Sequence, residues 1–379
     1  MKTTYDAIVI GAGVLGASAA AHLAEAGHSV LILERGETVS GASGGNLGQI
    51  SISDRTESWH MPLALRSQDY YREVLSKEYP IEYVPSGGSV TLTGEEQIAA
   101  GQDAQRRMAA FGVESVIYWG EDIRKAEPGL SLNAADALLF CPAEGKLNPL
   151  QTTLAFLDKA QKSGAILLRR TPVTAFQKEG THITGVETPA SVFSAKWVVN
   201  CAGPQAAFIG KLAGVSLPIR FHKGTAFVSE PVGPVIRGPI VGGGFFLAPP
   251  KVRPRRSIGF GCVQTADGSI LIAQSTEECE AGDRSVNMPS LQLVALRFLQ
   301  YYPQMRDLRI VRAWAAATTY TEDDLPVFGF SAGADNLFTA AGFKGAFTTA
   351  PEVGRVTLET LEGRADQVFA VCSPDRAGT

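Results

Sequence analysis

The 379-residue sequence predicts an α/β fold in which two domains are interleaved along the chain. Three observations predict it. An apolar strand, a glycine turn, a helix and a second strand occupy the first 34 residues. A later apolar strand ends in small residues at Cys201-Ala202-Gly203, and a third strand with a glycine-rich turn and a helix begins at Leu337. Parallel-sheet elements at both ends and in the middle imply that the chain crosses between the domains several times.

The N-terminal βαβ unit is the most regular of these elements. Residues 7–10 are all apolar, as expected for a strand buried on both faces of a parallel sheet. An Ala- and Leu-rich helix is predicted from about Val14 to Ala26 and is followed by Gly27, a typical residue at a helix C-terminus. Residues 29–33 form the second apolar strand.

The turn between the first strand and the helix has the spacing GxGxxG, at Gly11, Gly13 and Gly16. Gly11 permits the tight turn, Gly13 lets the backbone approach a diphosphate, and Gly16 lets helix and strand pack closely. The helix N-terminus, with Val14 and Leu15 in its first turn, offers N–H groups and a positive dipole end to the phosphates. The sequence therefore predicts a dinucleotide site here.

Glu34 ends the second strand, 23 residues after Gly11. A carboxylate at this position accepts hydrogen bonds from both ribose hydroxyls of an adenosine, and it disfavours a 2′-phosphate and hence NADP. The alternative interpretation of Glu34 is a surface acid that pairs with Arg35.

The remaining elements follow from composition and periodicity. A Gly/Ser-rich loop spans Ser40 to Gly48. Helices are predicted over about 62–77, 95–111, 149–164 and 289–302, and strands over 81–93, 166–176, 182–187 and, more loosely, 215–285. We assign residues 1–80, 140–215 and 310–379 to the nucleotide-binding domain, and 81–139 and 216–309 to a mainly antiparallel α+β domain.

Three features favour FAD over NAD as the dinucleotide. The Ser40–Gly48 loop supplies flexible backbone donors along the path of an extended cofactor. The segment from Val198 to Gly203 ends a central strand beside that path. The turn Gly342-Phe343-Lys344-Gly345-Ala346-Phe347-Thr348 leads into a helix whose positive end we expect to face the N1/C2 carbonyl side of a flavin ring.

Together these segments resemble the FAD-dependent D-amino-acid oxidase superfamily. That superfamily includes glycine and sarcosine oxidases, D-amino-acid dehydrogenases, and the flavin subunits of proline, hydroxyproline and opine dehydrogenases. The matching segments are 6–35, 40–49, 145–149, 199–203, 312–329 and 336–354. The resemblance implies a Rossmann-like FAD-binding domain interleaved with a mainly antiparallel α+β substrate domain.

The resemblance also implies site residues. The expected FAD contacts are Gly11, Gly13, Val14, Leu15, Gly16, Glu34, Arg35, Ser43, Gly45, Asn46, Leu47, Val173, Cys201, Ala202, Gly203, Gly342, Phe343, Lys344, Gly345, Ala346, Phe347 and Thr348. Val173 is expected to hold the adenine side through its backbone, with a core strand residue as the alternative. For catalysis, Lys344 is assigned the electrostatic role, Asn46 and Gln49 a place near the ring, and Tyr320 a place in the substrate cavity.

Two positions depart from the family pattern. Thr318 stands where many of these amino-acid oxidases have an arginine that clamps the substrate carboxylate, four residues after the tryptophan that is Trp314 here. Lys344, His222, Lys223 and Tyr320 are the candidates to replace it. Ala316 is the nearest equivalent of the cysteine through which sarcosine oxidase holds its flavin covalently, so we expect non-covalent FAD.

The function implied is oxidation of the C–N bond of an amino acid or secondary amine of opine, proline or D-amino-acid type, by hydride transfer to flavin N5. The missing arginine favours a dehydrogenase that passes electrons to a second subunit or another acceptor. Two alternatives stay open: a glycine or sarcosine oxidase-like enzyme that uses oxygen, and a non-catalytic FAD-binding electron-relay subunit.

Composition excludes other classes. A net charge of −4 gives no reason to expect nucleic acid, and a short basic run at Lys251, Arg253, Arg255 and Arg256 is interpreted as a solvated loop. The five cysteines and five histidines form no metal-binding spacing, so free thiols and no metal are expected. The N-terminus lacks a signal-peptide layout, which favours a cytoplasmic protein.

Overall fold

The computed structural model describes residues 3–54, 59–247, 254–279, 282–364 and 367–378, so Lys251 and Arg253 of the basic run lie outside the described residues. The strands within these ranges are β1 (Thr4–Ile10), β2 (Val30–Leu33), β3 (Gln49–Ile50), β4 (Gly88–Leu92), β5 (Val116–Trp119), β6 (Ala137–Cys141), β7 (Gly145–Lys146), β8 (Ile166–Leu168), β9 (Ala175–Glu179), β10 (His182–Glu187), β11 (Val192–Asn200), β12 (Arg220–Ser229), β13 (Ile240–Gly242), β14 (Arg256–Gln264), β15 (Ile270–Glu277), β16 (Ile310–Tyr320), β17 (Val327–Ser331) and β18 (Ala334–Ala341).

The helices in the same ranges are α1 (Val14–Glu25), α2 (His60–Tyr70), α3 (Ser76–Glu78), α4 (Gly94–Ala110), α5 (Pro149–Lys162), α6 (Ala206–Leu212), α7 (Met288–Tyr301) and α8 (Ala346–Leu361). A π-helical turn, Tyr71–Leu75, joins α2 to α3. Short 3₁₀ turns at Gly203–Gln205 and Gly243–Phe246 precede α6 and follow β13.

The first sheet carries the predicted βαβ unit. Its order is β17-β18-β11-β1-β2-β8, with β10 on β11 and β9 on β10. β18, β11, β1, β2 and β8 pair in parallel, so their carboxyl ends lie at one edge of the sheet. In open α/β sheets, ligands bind in the crevice outside that edge.

Small residues allow α1 to lie close to α8 against this sheet. A Cβ atom on Gly354 of α8 would come within 2.3 Å of Ser18 Oγ and 2.7 Å of His22 Nδ1 on α1. The alanines of α1 are buried, and they belong to the same apolar core as Val9, Ile32 and Phe347. The two helix N-termini are thereby fixed at the same edge of the sheet.

The second sheet is mainly antiparallel, in the order β16-β12-β15-β14-β13-β4-β6-β5, with one parallel pair between β13 and β4. One of its faces is covered by α7, where Phe227, Phe260 and Ile272 pack against Val294 and Phe298. The other face is turned toward the carboxyl edge of the first sheet and forms part of a cavity.

One strand differs from its sequence prediction. The strand expected over 81–93 begins only at Gly88; before it, an isolated bridge joins Val84 to Lys146. β16 pairs along its length with β12, from Arg220–Tyr320 to Ser229–Ile310, and so lies in the second sheet. The domain boundaries, including the assignment of 310–379 to the nucleotide-binding domain, stay a prediction.

In the described parts of the chain, no helix is both long enough and apolar enough to cross a membrane.

Candidate cofactor and substrate site

The carboxyl edge of the first sheet and the open face of the second enclose a cavity of about 2560 Å³. Pockets for drug-sized ligands usually measure about 300–1,000 Å³. The cavity therefore has room for an extended dinucleotide and for a small substrate beside it.

The glycine turn after β1 is built as the GxGxxG spacing predicts. Gly11 has φ +105°, and a Cβ there would lie 2.5 Å from the Cys201 carbonyl oxygen. A Cβ on Gly16 would lie 2.0 Å from the Gly11 carbonyl oxygen. Gly13, which lines the cavity, is the N-cap of α1, and the first turn of that helix holds no acidic residue. The helix therefore presents its positive end to the cavity without a competing carboxylate.

Glu34 lies at the cavity wall and is held by two backbone donors. The Ala12 N–H donates to Oε2 at 3.0 Å and the Gly36 N–H donates to Oε1 at 2.8 Å. An ionised carboxylate has about four acceptor positions, so each oxygen keeps one for a further donor. Two neighbouring hydroxyls, as on a ribose, match that remaining capacity.

The Ser40–Gly48 loop joins the two sheets. The Val14 N–H donates to Ser43 Oγ at 3.0 Å, and Trp314 Nε1 on β16 donates to the Gly45 carbonyl at 3.1 Å. A Cβ on Gly45 would lie 2.5 Å from the Cβ of Ala316. The loop thus lies tightly between α1 and β16. Its carboxyl end is fixed by Asn46 Oδ1, which accepts from the Gly48 N–H at 2.8 Å.

The turn between β18 and α8 brings a second helix N-terminus to the cavity. Gly345, with φ +57°, is the N-cap of α8, and the first turn of α8 also holds no acidic residue. Tyr71 Oη donates to the Phe347 carbonyl at 2.7 Å and so fixes this first turn. Lys344, beside the N-cap, lines the cavity, and its Nζ lies 2.9 Å from Asp324 Oδ1.

On the second sheet the cavity wall combines apolar side chains with a few polar ones, among them His222, Thr318 and Tyr320. The Tyr320 ring stacks on the His222 ring, with centroids 3.9 Å apart and planes within 2°. Thr318 pairs with His222 across the two strands. Gln49 donates from Nε2 to the Cys262 carbonyl at 3.5 Å, which places its amide over β14.

Three of the four candidates to replace the carboxylate-binding arginine line this cavity: Lys344, His222 and Tyr320. Lys223 is not among the described residues that form its wall. The Lys223 side chain is buried, and its Nζ lies 2.6 Å from Asp283 Oδ2. Because that ammonium is already paired, Lys223 is not placed to receive a substrate carboxylate.

The structure brings together nearly all the predicted site residues. Every one of them lines the cavity except Gly16 and Val173. Gly16 has the packing role that its place in the motif predicts. The Val173 side chain is buried in the core with Ile8 and Leu31, and its predicted backbone contact with adenine stays a prediction.

Sequence reasoning missed the cavity residues of β14 and β15. A Cβ on Gly259 would meet the Gln274 side chain and the Phe245 ring, each at 3.5 Å, and Gly261 lies beside Val241 and Gln49. Glycines two residues apart in a strand lie on one face and permit close approach of a ligand or another chain segment. That alternation at positions 259 and 261 was the available signal.

Among the described residues, no group of three or more His, Cys, Asp or Glu side chains is arranged to hold a metal ion.

The residues present fit FAD. The first glycine turn leaves no space for side chains, Glu34 keeps acceptor capacity for a ribose, and two helix N-termini without acidic residues face one cavity. A dinucleotide site that opens onto the face of an antiparallel sheet indicates a dinucleotide-dependent oxidoreductase.

Comparison with known proteins identifies the family. The model of the DAO family, described as FAD-dependent oxidoreductases, matches residues 6–360, so the chain belongs to that family. A glycine oxidase from Geobacillus kaustophilus (strain HTA426) is 26% identical over 375 residues, covering 96% of this chain and 94% of that protein. The hydrogen cyanide synthase subunit HcnC of Pseudomonas aeruginosa is 26% identical over 408 residues, covering 95% of this chain and 93% of that protein.

A solved structure has the same fold: L-proline dehydrogenase from P. horikoshii superimposes with a TM-score of 0.91 at 24% identity, covering 100% of this chain and 99% of that one. The predicted family and fold class are confirmed, as is the prediction that the chain is an FAD-dependent enzyme of the amino-acid and amine oxidoreductases.

Proposed function

We propose that this enzyme is an FAD-dependent dehydrogenase that oxidises the C–N bond of a small amino acid or secondary amine of opine, proline or D-amino-acid type. The observation that carries the proposal is that the dinucleotide loops and the open face of the second sheet form the walls of one cavity. A substrate held against that face lies beside the cofactor.

When bound, FAD would supply the electron acceptor, at N5, for a hydride that leaves the substrate α-carbon. The protein has to hold that C–H bond within about 3–3.5 Å of the acceptor atom and keep bulk water away. We assign the positioning of polar substrate groups to His222, Tyr320 and Gln49, which line the cavity. Lys344 and the first turn of α8 would supply positive potential at the pyrimidine side of the ring, and Asn46 would lie near its edge.

The choice of electron acceptor rests on Thr318. Thr318 leaves this position without the bidentate guanidinium that clamps the substrate carboxylate in many amino-acid oxidases of this family. We therefore favour transfer to a second subunit or another acceptor. That one of the relatives is named as a subunit supports a partner subunit here.

We propose that FAD is bound without a covalent bond. Ala316 offers no nucleophile, and of the five cysteines only Cys201 lines the cavity. Burial raises the pKa of the Cys201 thiol to about 12. The thiolate is the reactive form of cysteine, and at neutral pH this thiol stays protonated.

Anaerobic reduction of the bound flavin by a panel of amines tests the function. The panel contains D-amino acids, N-methyl amino acids, prolines and opines, and the measurement is bleaching of the flavin absorbance. We expect at least one of these substrates to bleach the flavin as fast as an enzyme turns over. Bleaching by none of them, with FAD bound, would support an electron-relay subunit instead.

The acceptor is tested with the substrate that bleaches the flavin fastest. Turnover is measured once with oxygen and once, without oxygen, with an artificial dye. The dehydrogenase is expected to turn over faster with the dye than with oxygen. Rapid formation of hydrogen peroxide would instead identify an oxidase.

A further inference from the structure

The turn after β16 places three consecutive acids beside the cavity, and each has a different cationic partner. Glu322 Oε1 lies 2.6 Å from Arg220 Nη2. Asp323 accepts from Arg376 at 2.7 and 3.1 Å, and Asp324 Oδ1 lies 2.9 Å from Lys344 Nζ. Of the three acids, only Asp324 lines the cavity, together with Lys344.

The turn that carries Asp324 is held rigidly. Thr321 Oγ1 donates to the Leu325 carbonyl at 2.6 Å, and Arg376 Nη2 donates to the same carbonyl at 2.8 Å. Arg376, only 14% exposed, anchors the turn to the C-terminal segment and holds the pKa of Asp323 at about 2. Asp324 itself has φ +61°, a left-handed conformation that Asp adopts at lower cost than most residues.

Lys344 is the more exposed partner of the Asp324–Lys344 pair. Its side chain is 55% exposed, whereas that of Asp324 is 30% exposed and rises from the anchored turn. Lys344 directly precedes Gly345, the N-cap of α8. The carboxylate therefore fixes where the ammonium lies relative to that helix end.

We propose that Asp324 is a positioning residue that sets the midpoint potential of the bound FAD through Lys344. It holds the ammonium at the cavity wall and cancels part of its charge, so that the potential is lower than an unpaired lysine would give. This inference rests on the proposed function, which puts Lys344 at the pyrimidine side of the ring.

The pairing lowers the midpoint potential because a paired charge produces a weaker field at a distance than an unpaired one. Two opposite charges 2.9 Å apart act on a more distant group as a dipole, whose field falls off faster than that of a single cation. Two-electron reduction adds negative charge to the ring. An unpaired lysine stabilises that charge more than a lysine paired with a carboxylate does.

The test compares the two-electron midpoint potentials of the FAD-loaded wild type, Asp324→Asn and Lys344→Met, measured by equilibration with a reference dye. Asparagine has nearly the shape of aspartate and tolerates the left-handed conformation, so the turn is retained. We expect a higher potential for D324N and a lower one for K344M.

Glu322→Gln is the matched control. It removes one negative charge from the same turn, but from a residue paired with Arg220 outside the cavity wall. We expect its potential to equal that of the wild type. The inference is overturned if D324N does not raise the potential, if K344M leaves it unchanged, or if E322Q shifts it as far as D324N does.

Failure of the inference is distinguishable from failure of the proposed function. If the protein shows no flavin absorbance, or if no amine in the panel bleaches the flavin, the result counts against the proposed function and not against the role of Asp324. Bleaching by an amine together with equal potentials in wild type and D324N counts against Asp324 alone.

Discussion

At the scale of single residues, two glycines of the Ser40–Gly48 loop differ in what a side chain would meet. A Cβ on Gly45 would lie 2.5 Å from the Ala316 Cβ on β16, whereas a Cβ on Gly41 meets nothing within 4 Å. Neither position has the left-handed φ that strains other residues. Substitution of Gly45 and of Gly41 by alanine therefore differs in the contacts that the added Cβ makes, and not in backbone strain.

Gly45→Ala is expected to destabilise the FAD-free protein by about 1–3 kcal/mol, the usual cost of forcing extra volume into a packed site. The measurement is the thermal unfolding midpoint of the FAD-free protein, with Gly41→Ala as the control. We expect the control to unfold within error of the wild type. Equal midpoints for all three proteins would mean that the loop can move away from β16 at no cost.

Sequence reasoning reached the residues whose role is local. The spacing of Gly11, Gly13 and Gly16 fixes a turn that neighbouring residues build, and Glu34 follows from the length of one βαβ unit. Asp324 was not predicted, because its partner Lys344 is brought to it only when β17 and β18 form. Pairing across the fold leaves no trace in the spacing of the sequence.

At the scale of elements, the segment after β3 is held by a buried carboxylate. Glu144, in the turn between β6 and β7, accepts from the Ile52 and Ser53 N–H groups at 2.8 and 2.7 Å. Burial raises the pKa of Glu144 to about 7. Because Ser53 lines the cavity, this acid links the second sheet to the site.

The pH dependence of stability follows from the raised pKa of Glu144. Between its ordinary value of 4.5 and about 7, the unfolded chain has lost a proton that the folded protein keeps. Stability therefore falls as pH rises through this window, by up to roughly 3 kcal/mol for this group, and is constant above it. Glu144→Gln keeps an acceptor for both N–H groups and removes the titration.

We expect E144Q to unfold like the wild type below pH 4.5 and to be the more stable protein above pH 7. The free energy of unfolding in urea, measured at pH values from about 4 to 8, tests this. A variant that is less stable than the wild type at pH 8 would contradict the prediction, since it would mean that the ionised carboxylate holds the segment better than a neutral amide.

Helices were predicted more accurately than strand membership. The helices expected over 95–111, 149–164 and 289–302 occur as α4, α5 and α7 with ends within two residues, because capping residues and apolar spacing are encoded in the segment itself. The sheet to which β16 belongs depends on its partner β12, about 90 residues earlier, and periodicity within the strand does not specify a partner.

At the scale of the whole molecule, the two sheets meet across the cavity, so a ligand that spans it contacts both. FAD that binds only the folded protein adds RT ln(1 + [L]/Kd) to the free energy of unfolding, about 2.7 kcal/mol at a hundredfold excess over Kd. We expect FAD to raise the thermal unfolding midpoint of the FAD-free protein. FMN, which lacks the adenosine that we expect Glu34 to bind, is expected to raise it much less.

Release of the flavin on denaturation tests whether FAD is bound without a covalent bond. Denaturation of the FAD-loaded protein in acid is expected to leave all flavin in the supernatant, since Cys201 stays protonated and Ala316 offers no nucleophile. Flavin that precipitates with the protein would contradict non-covalent binding.

In the comparison of FMN with FAD, an equal effect of the two on the unfolding midpoint would mean that the Glu34 end of the cavity contributes little to binding.

The strand order of the first sheet has a consequence for how the chain is made. β1 lies beside β11, where Thr4 pairs with Ser194, and β11 lies in turn beside β18, where Asn200 pairs with Thr339. During synthesis on the ribosome, the strand before the GxGxxG turn has no partner on that side until Ser194 and its neighbours have emerged. The wall formed by α8 follows later still, since α8 begins at Ala346. Pairings between such distant segments fold slowly and expose apolar strands meanwhile, so we expect the incomplete chain to be prone to aggregation until α8 has formed.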